Sequence, residues 1–144
     1  MKIKTTRFGE ICIDKEKIIR MPYGMLGFPD KYQWIMFQHK ADSPFYWYQS
    51  VDDPKLAFVV TSPIYFVSDY DVDTDHILEE MSWGCPSKAH LELYVVVNIP
   101  KGSPEKMTIN LIGPILINNE ARQAVQMVIS NSPYSHQHAQ AEIQ

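Results

Sequence analysis

The sequence predicts a mainly β protein: a small antiparallel β-barrel-like single domain with one short helix. Three observations carry this. Ten prolines and six glycines cut the chain into many short runs. Most of those runs are rich in β-branched and aromatic residues or alternate with period two. A single stretch, Asp73 to Met81, has helical spacing. Eight to ten short strands in 144 residues suit a closed or half-closed barrel, which manages exposed edges by closure.

In order along the chain, Lys2 to Phe8 is the first strand run, and Gly9-Glu10 turns it into Ile11-Cys12-Ile13. Asp14 to Lys17 is a charged connection to Ile18-Ile19-Arg20-Met21. Tyr23 to Pro29 is a loop whose two glycines and apolar side chains point to packing against the body. Tyr32 to His39 places Trp34 and Met36 on one face and Ile35 and Phe37 on the other, both partly buried. Phe45-Tyr46-Trp47-Tyr48 strongly favours a strand. Leu56 to Val60 is a continuous apolar run of buried-strand length, and the strand-like Ile64 to Val67 follows Pro63. In the helical stretch Ile77, Leu78 and Met81 share a face, with Asp73 or Thr74 as cap. His90 to Ile99 is a strong strand with Leu91, Leu93, Val95 and Val97 on one side.

The chain is organised around Met107 to Ile129. Met107, Ile109 and Leu111 alternate with polar residues. Gly113-Pro114 interrupts, and Ile115-Leu116-Ile117 continues, as in one strand that bends and keeps running. Pro114 has no N–H for a ladder, so it marks a bulge, bend or edge. Asn118-Asn119-Glu120 is turn chemistry, and a strand returns through Val125, Met127 and Ile129. A helix from Glu120 to Met127 is the rival, because Ala, Arg and Gln favour it. The expected layout is one domain over 1–130 and a polar, flexible tail over 131–144.

The formal charge of −4 and the absence of a Lys/Arg cluster weigh against direct nucleic-acid binding and favour a basic protein partner. No signal peptide and no apolar run of transmembrane length are present, so no membrane is expected. Cys12 and Cys85, the two cysteines, then read as free thiols in the cytoplasm.

Asp69, Asp71, Asp73 and Glu80 fall at the first, third, fifth and twelfth positions of a calcium-loop pattern. Thr74 stands where the loop needs glycine, and a strand-like run stands where it needs a helix. The same acids read as a helix start, or as a docking surface for a basic protein. His136 and His138 lack a third ligand, and Cys85 with His90 lacks a carboxylate. Tyr46, Trp47 and Tyr48 read as core or as a sugar platform. A small hydrolase would need a buried His76 or His90 beside an acid. No nucleophile elbow, phosphate loop or HExxH helix occurs, so no catalytic residue, cofactor or metal is expected and binding is the default role.

Four ordered segments resemble the FliW family of flagellar assembly factors: Gly24 to Phe28, Ser43 to Val60, Pro63 to Tyr70, and Thr108 to Asn118, followed by Arg122, Gln126 and Tyr134. The chain departs from the family's usual residues at Gly113, Tyr48 and, in the tail, near Gln137. The resemblance implies a non-catalytic β-barrel-like protein that binds flagellin and the basic RNA-binding regulator CsrA in the cytoplasm. It implies that CsrA, once bound, releases the flagellin message, and that accumulating flagellin takes the protein away again. Charge density marks Asp69, Asp71, Asp73 and Asp75, with Tyr70 among them, as the surface expected to face CsrA. The motif residues Phe28, Gln49, Asn110, Pro114 and Asn118 are contacts or structural. The amides of Gln49, Asn110 and Asn118 would satisfy buried backbone groups at bends, or else touch a partner.

Overall fold

The longest strand, Leu91–Asn98 (β7), is bonded along both edges. In the computed structural model, which describes residues 1–38, 40–84, 86, 90–129 and the backbone of 138–139, the strands are ordered around it. Lys2–Thr5 (β1) and Gly9–Cys12 (β2) form a separate hairpin. The remaining strands are Ile19–Arg20 (β3), Gln33–Gln38 (β4), Phe45–Ser50 (β5), Ala57–Thr61 (β6), Thr108–Ile109 (β8), Ile115–Asn118 (β9), Gln123–Gln126 (β10) and His138–Ala139 (β11). Pairing runs β7-β6-β5-β4-β3-β10-β9 and returns to β7, a closed ring of seven strands. Every step is antiparallel except β10 to β3, where Gln123 pairs with Arg20 in parallel. β8 pairs with the far end of β7, and β11 with β8.

The register shows how β8 and β9 share one track. Val97 faces Ile109 and Tyr94 faces Ile115, so three steps along β7 meet six steps on the partner. Three extra residues therefore bulge out between Asn110, whose N–H donates to Val96 O at 3.0 Å, and Pro114. The strand bends and keeps running, as its sequence reads. The return past Asn118 is a strand, not a helix: β10 pairs with β9 from Gln123↔Asn118 to Gln126↔Ile115. Beyond it, Met127 N donates to Pro114 O and Ile129 N to Ile112 O, both at 2.8 Å, so the ladder follows the bend.

The barrel interior holds Trp34, Tyr48, Val60, Tyr94, Ile115, Ile117 and Ala124. Trp34 and Tyr48 stack with centroids 4.8 Å apart and planes within 4°. A second core lies outside the barrel wall, where Val95, Val97, Ile109 and Leu111 meet Tyr70 and Met107. A third holds Ile77 against Leu116, Val125 and Met127. β9 is thus buried on both faces, which explains why Ile115-Leu116-Ile117 has no polar alternation.

Two local outcomes differ from the sequence. Ile64 to Val67 is not a strand; Pro63–Tyr65 forms a 3₁₀ turn, and the N–H groups of Phe66 and Val67 both return to Pro63 O. Proline at the first position fixes φ and has no donor, which suits a helical start better than a ladder. The helix (α1) is shorter than expected, Asp75–Glu80. Thr74 makes no capping bond, and the Asp73 carboxylate accepts from Asp75 N at 3.0 Å instead. The expected tail over 131–144 lies, apart from the β11 backbone, outside the described residues.

The Tyr23–Pro29 loop packs down. Met25 is buried, Met25 and Phe28 bond each other's backbone, and the Phe28 ring meets Phe58 edge-on at 5.8 Å. Gly24 and Gly27 both have positive φ, but a Cβ on Gly24 would strike the Phe28 carbonyl and sit 2.7 Å from Pro29 Cα, whereas one on Gly27 meets nothing. Gly27→Ala should therefore cost about 1 kcal/mol in urea unfolding, the usual left-handed penalty. Gly24→Ala should cost clearly more, and equal losses would contradict the close approach.

Candidate partner-binding surface

The segment from Ser62 to Gly84 lies across the outer wall of the barrel. Phe66, Val67, Tyr70, Val72, Ile77 and Met81 turn toward β7 and β9. Asp69, Asp71, Asp73, Asp75, Glu79 and Glu80 are exposed between them. Two long-range bonds pin the segment: Tyr70 Oη donates to Leu111 O at 2.6 Å, and Trp83 Nε1 to Gln123 Oε1 at 2.8 Å. Among the described residues, none of these six acids forms an ion pair.

The local charge balance is sharper than the overall one. Between Lys55 and Lys88 there is no lysine or arginine, and six of the seventeen acids lie there. The rest of the chain carries thirteen cations against eleven acids, so the whole net negative charge comes from this segment. Counting charge by segment would have shown this from the sequence, where only the four aspartates stand out. No group of three or more His, Cys, Asp or Glu that could hold a metal occurs among the described residues, and Asp73 is engaged as the helix cap.

The other singled-out residues fall apart from this surface. The buried Gln49 Nε2 donates to the carbonyls of Ser50 at 3.0 Å, Leu56 at 3.1 Å and Asp53 at 3.3 Å, holding the β5–β6 turn. Asn110 Oδ1 accepts from the N–H groups of Ile112 and Gly113, each at 3.1 Å, and so shapes the three-residue bulge. Asn118 Oδ1 accepts from Glu120 at 3.0 Å and Ala121 at 3.1 Å, closing the β9–β10 turn. Pro114 is buried in the bend, and Phe28 packs on the barrel interior. Tyr48 is fully buried, Tyr46 meets Tyr94 edge-on at 5.7 Å, and Trp47 lies on the outer face with the Arg7 guanidinium 4.6 Å above its ring. The three rings therefore present no common stacking face. His90 meets Glu120 at 3.7 Å as an exposed pair, and His76 is exposed on α1. Cys12 is exposed and free, while Cys85 and His136, and the His138 side chain, lie outside the described residues.

One chain of contacts has no sequence signal, because two of its links join residues 27 and 105 positions apart. Tyr94 Oη donates to Glu92 Oε2 at 2.5 Å, Asn119 Nδ2 donates to the other Glu92 oxygen, and Arg122 joins Asn119 Oδ1 at 3.1 Å and the Lys17 carbonyl. It belts one end of the barrel from β7 to β3. Burial, then the Glu92 hydrogen bond and charge, push the Tyr94 phenol well above its ordinary value. Burial pushes Tyr48 up as well, against the opposing effect of Arg122.

These features generate two expectations. Asn118→Ala should lower stability by about 1–2 kcal/mol in chemical denaturation, since two turn donors lose their acceptor. Both phenols stay neutral in the fold while the unfolded chain ionises near pH 10. Their contribution is therefore complete below that pH and is lost as pH rises above it. The urea midpoint of the wild type should fall more steeply between pH 9 and 11 than that of a Tyr48→Phe, Tyr94→Phe double variant. Parallel slopes would contradict the burial of these groups.

Comparison with known proteins agrees with this architecture. The family model described as FliW protein matches residues 2–140. The chain is 38% identical over 128 residues to the flagellar assembly factor FliW of Magnetococcus marinus, covering 89% of this chain and 78% of that protein. It is 38% identical over 138 residues to that of Geobacter sulfurreducens, covering 96% and 85% respectively. A crystal structure of the flagellar assembly factor FliW superposes with a TM-score of 0.86 at 30% identity, over 97% of this chain and 96% of that one. The family match, the two relatives and the superposed structure each cover most of the chain, and the chain belongs to the FliW family of flagellar assembly factors.

Proposed function

We propose that this chain works in the cytoplasm as a non-catalytic partner switch, binding flagellin and the translational regulator CsrA so that bound CsrA no longer silences the flagellin message. Family membership supports a role in flagellar assembly, and the two partners follow from the resemblance of the four sequence segments. The observation that carries the CsrA half is the exposed row Asp69, Asp71, Asp73 and Asp75, set in a stretch with no lysine or arginine. A basic RNA-binding protein approaching such a surface gains long-range attraction and a faster encounter. No helix among the described residues is long and apolar enough to cross a membrane, and the switch needs none. It requires only that the two partners disfavour each other on this chain, by overlap or by coupling.

Calorimetry with purified CsrA and purified flagellin tests the reading. The wild type should bind each, and flagellin should displace CsrA. Added salt should weaken the CsrA complex as screening grows. Asp71→Lys with Asp73→Lys should weaken CsrA binding at low salt by at least about tenfold, because like charges then meet the partner. An unchanged affinity removes these acids from the interface; a wild type that binds neither protein ends the proposal.

A further inference from the structure

The acidic segment also walls a groove of about 430 Å³ on the outside of the barrel. Pro63, Ile64 and Val72 form one side, and Leu93 and Leu116 lie against it from β7 and β9. Two carboxylates, Asp71 and Glu92, stand in the lining. Glu92 is held in place by Tyr94 and Asn119, while Asp71 enters no ion pair among the described residues. Ile64, in the lining, is 58% exposed, and Tyr65 next to it in the chain is 61% exposed. They are neighbours in the 3₁₀ turn, neither joins a core cluster of the described residues, and Tyr65 is near enough to act on the Tyr94 phenol.

An apolar groove beside charge of a single sign is selective. An apolar small molecule would leave the rim charges unmatched. Nucleic acid is repelled by the rim. A second copy of the chain, meeting face to face about a two-fold axis, would set six acids against the same six. A polypeptide segment that is apolar on one side and cationic on the other satisfies both features. We propose that this groove docks a short, basic, amphipathic segment of a protein partner. One of its apolar side chains enters between Ile64, Val72 and Leu93, and its Lys or Arg groups face Asp71, Glu92 and the neighbouring aspartates. This rests on the partner-binding reading above and adds the place and the chemistry of the contact.

Ile64→Ser with Tyr65→Ser tests it, since both side chains are exposed and lie outside the core clusters; Asp71→Asn is the second variant. Calorimetry is run against purified CsrA as the basic partner and against purified flagellin, with thermal melting of each variant. The expected result is an unchanged melting temperature, at least about tenfold weaker binding of CsrA by the double variant, and a shallower salt dependence for Asp71→Asn. Wild-type affinity for CsrA in both variants overturns the groove and leaves the partner-switch reading standing. A wild type that binds neither protein overturns that reading and the groove with it. A loss confined to flagellin overturns the basic occupant. A wild-type dimer in sedimentation that the double variant abolishes assigns the groove to a second copy and overturns the proposal.

Discussion

Closing the ring has β9 pair with β7 after the same chain has already paired with β7 through β8, and the three residues between Asn110 and Pro114 bulge out between the two pairings. Backbone donors freed by the bulge need acceptors, because a buried unpaired amide is costly. Asn110 takes two of them. Gln126 accepts from Leu26 N at 2.8 Å and donates to Gly113 O at 2.9 Å, so the glycine loop is fastened to the same bend. A Cβ on Gly113 would come within 2.9 Å of Asn110 Nδ2, and the residue has no room to be larger unless Asn110 gives way. Tyr70 attaches the acidic segment at Leu111. Barrel closure, glycine loop and charged surface all converge on a few residues of one strand.

Much of the architecture was legible because local composition and tertiary demand agree. Phe45 to Ser50 and Leu91 to Asn98 have β-rich composition and nothing to oppose it. The bend at Gly113-Pro114 could be read because proline and glycine restrict the backbone wherever they stand. Ile64 to Val67 has an apolar, aromatic composition that fits a strand and a turn equally well, and Pro63 at the first position selects the 3₁₀ turn. The stretch after Asn118 was ambiguous because Ala, Arg and Gln favour helices, and pairing with β9 overrode that preference.

The candidate surface was visible only in outline. Four aspartates stand out in the sequence, but Ile64 and Tyr65 become distinctive only when the fold leaves them exposed. The belt of Tyr94, Glu92, Asn119, Arg122 and Lys17 joins residues from different parts of the chain, and no periodicity reports such contacts. The amides of Gln49, Asn110 and Asn118 read in the sequence as backbone partners at bends or as partner contacts, and in the fold each is bonded to backbone groups of a turn or bend.

The stretch between Lys55 and Lys88 has a practical side. It offers no amine, so reagents that couple lysines leave this part of the surface unmarked however tightly a partner sits there. Trypsin likewise has no site within it and would release β6, the 3₁₀ turn and α1 in one fragment. Carbodiimide coupling, by contrast, can activate six carboxylates in that fragment and join them to the amines of whatever lies against it.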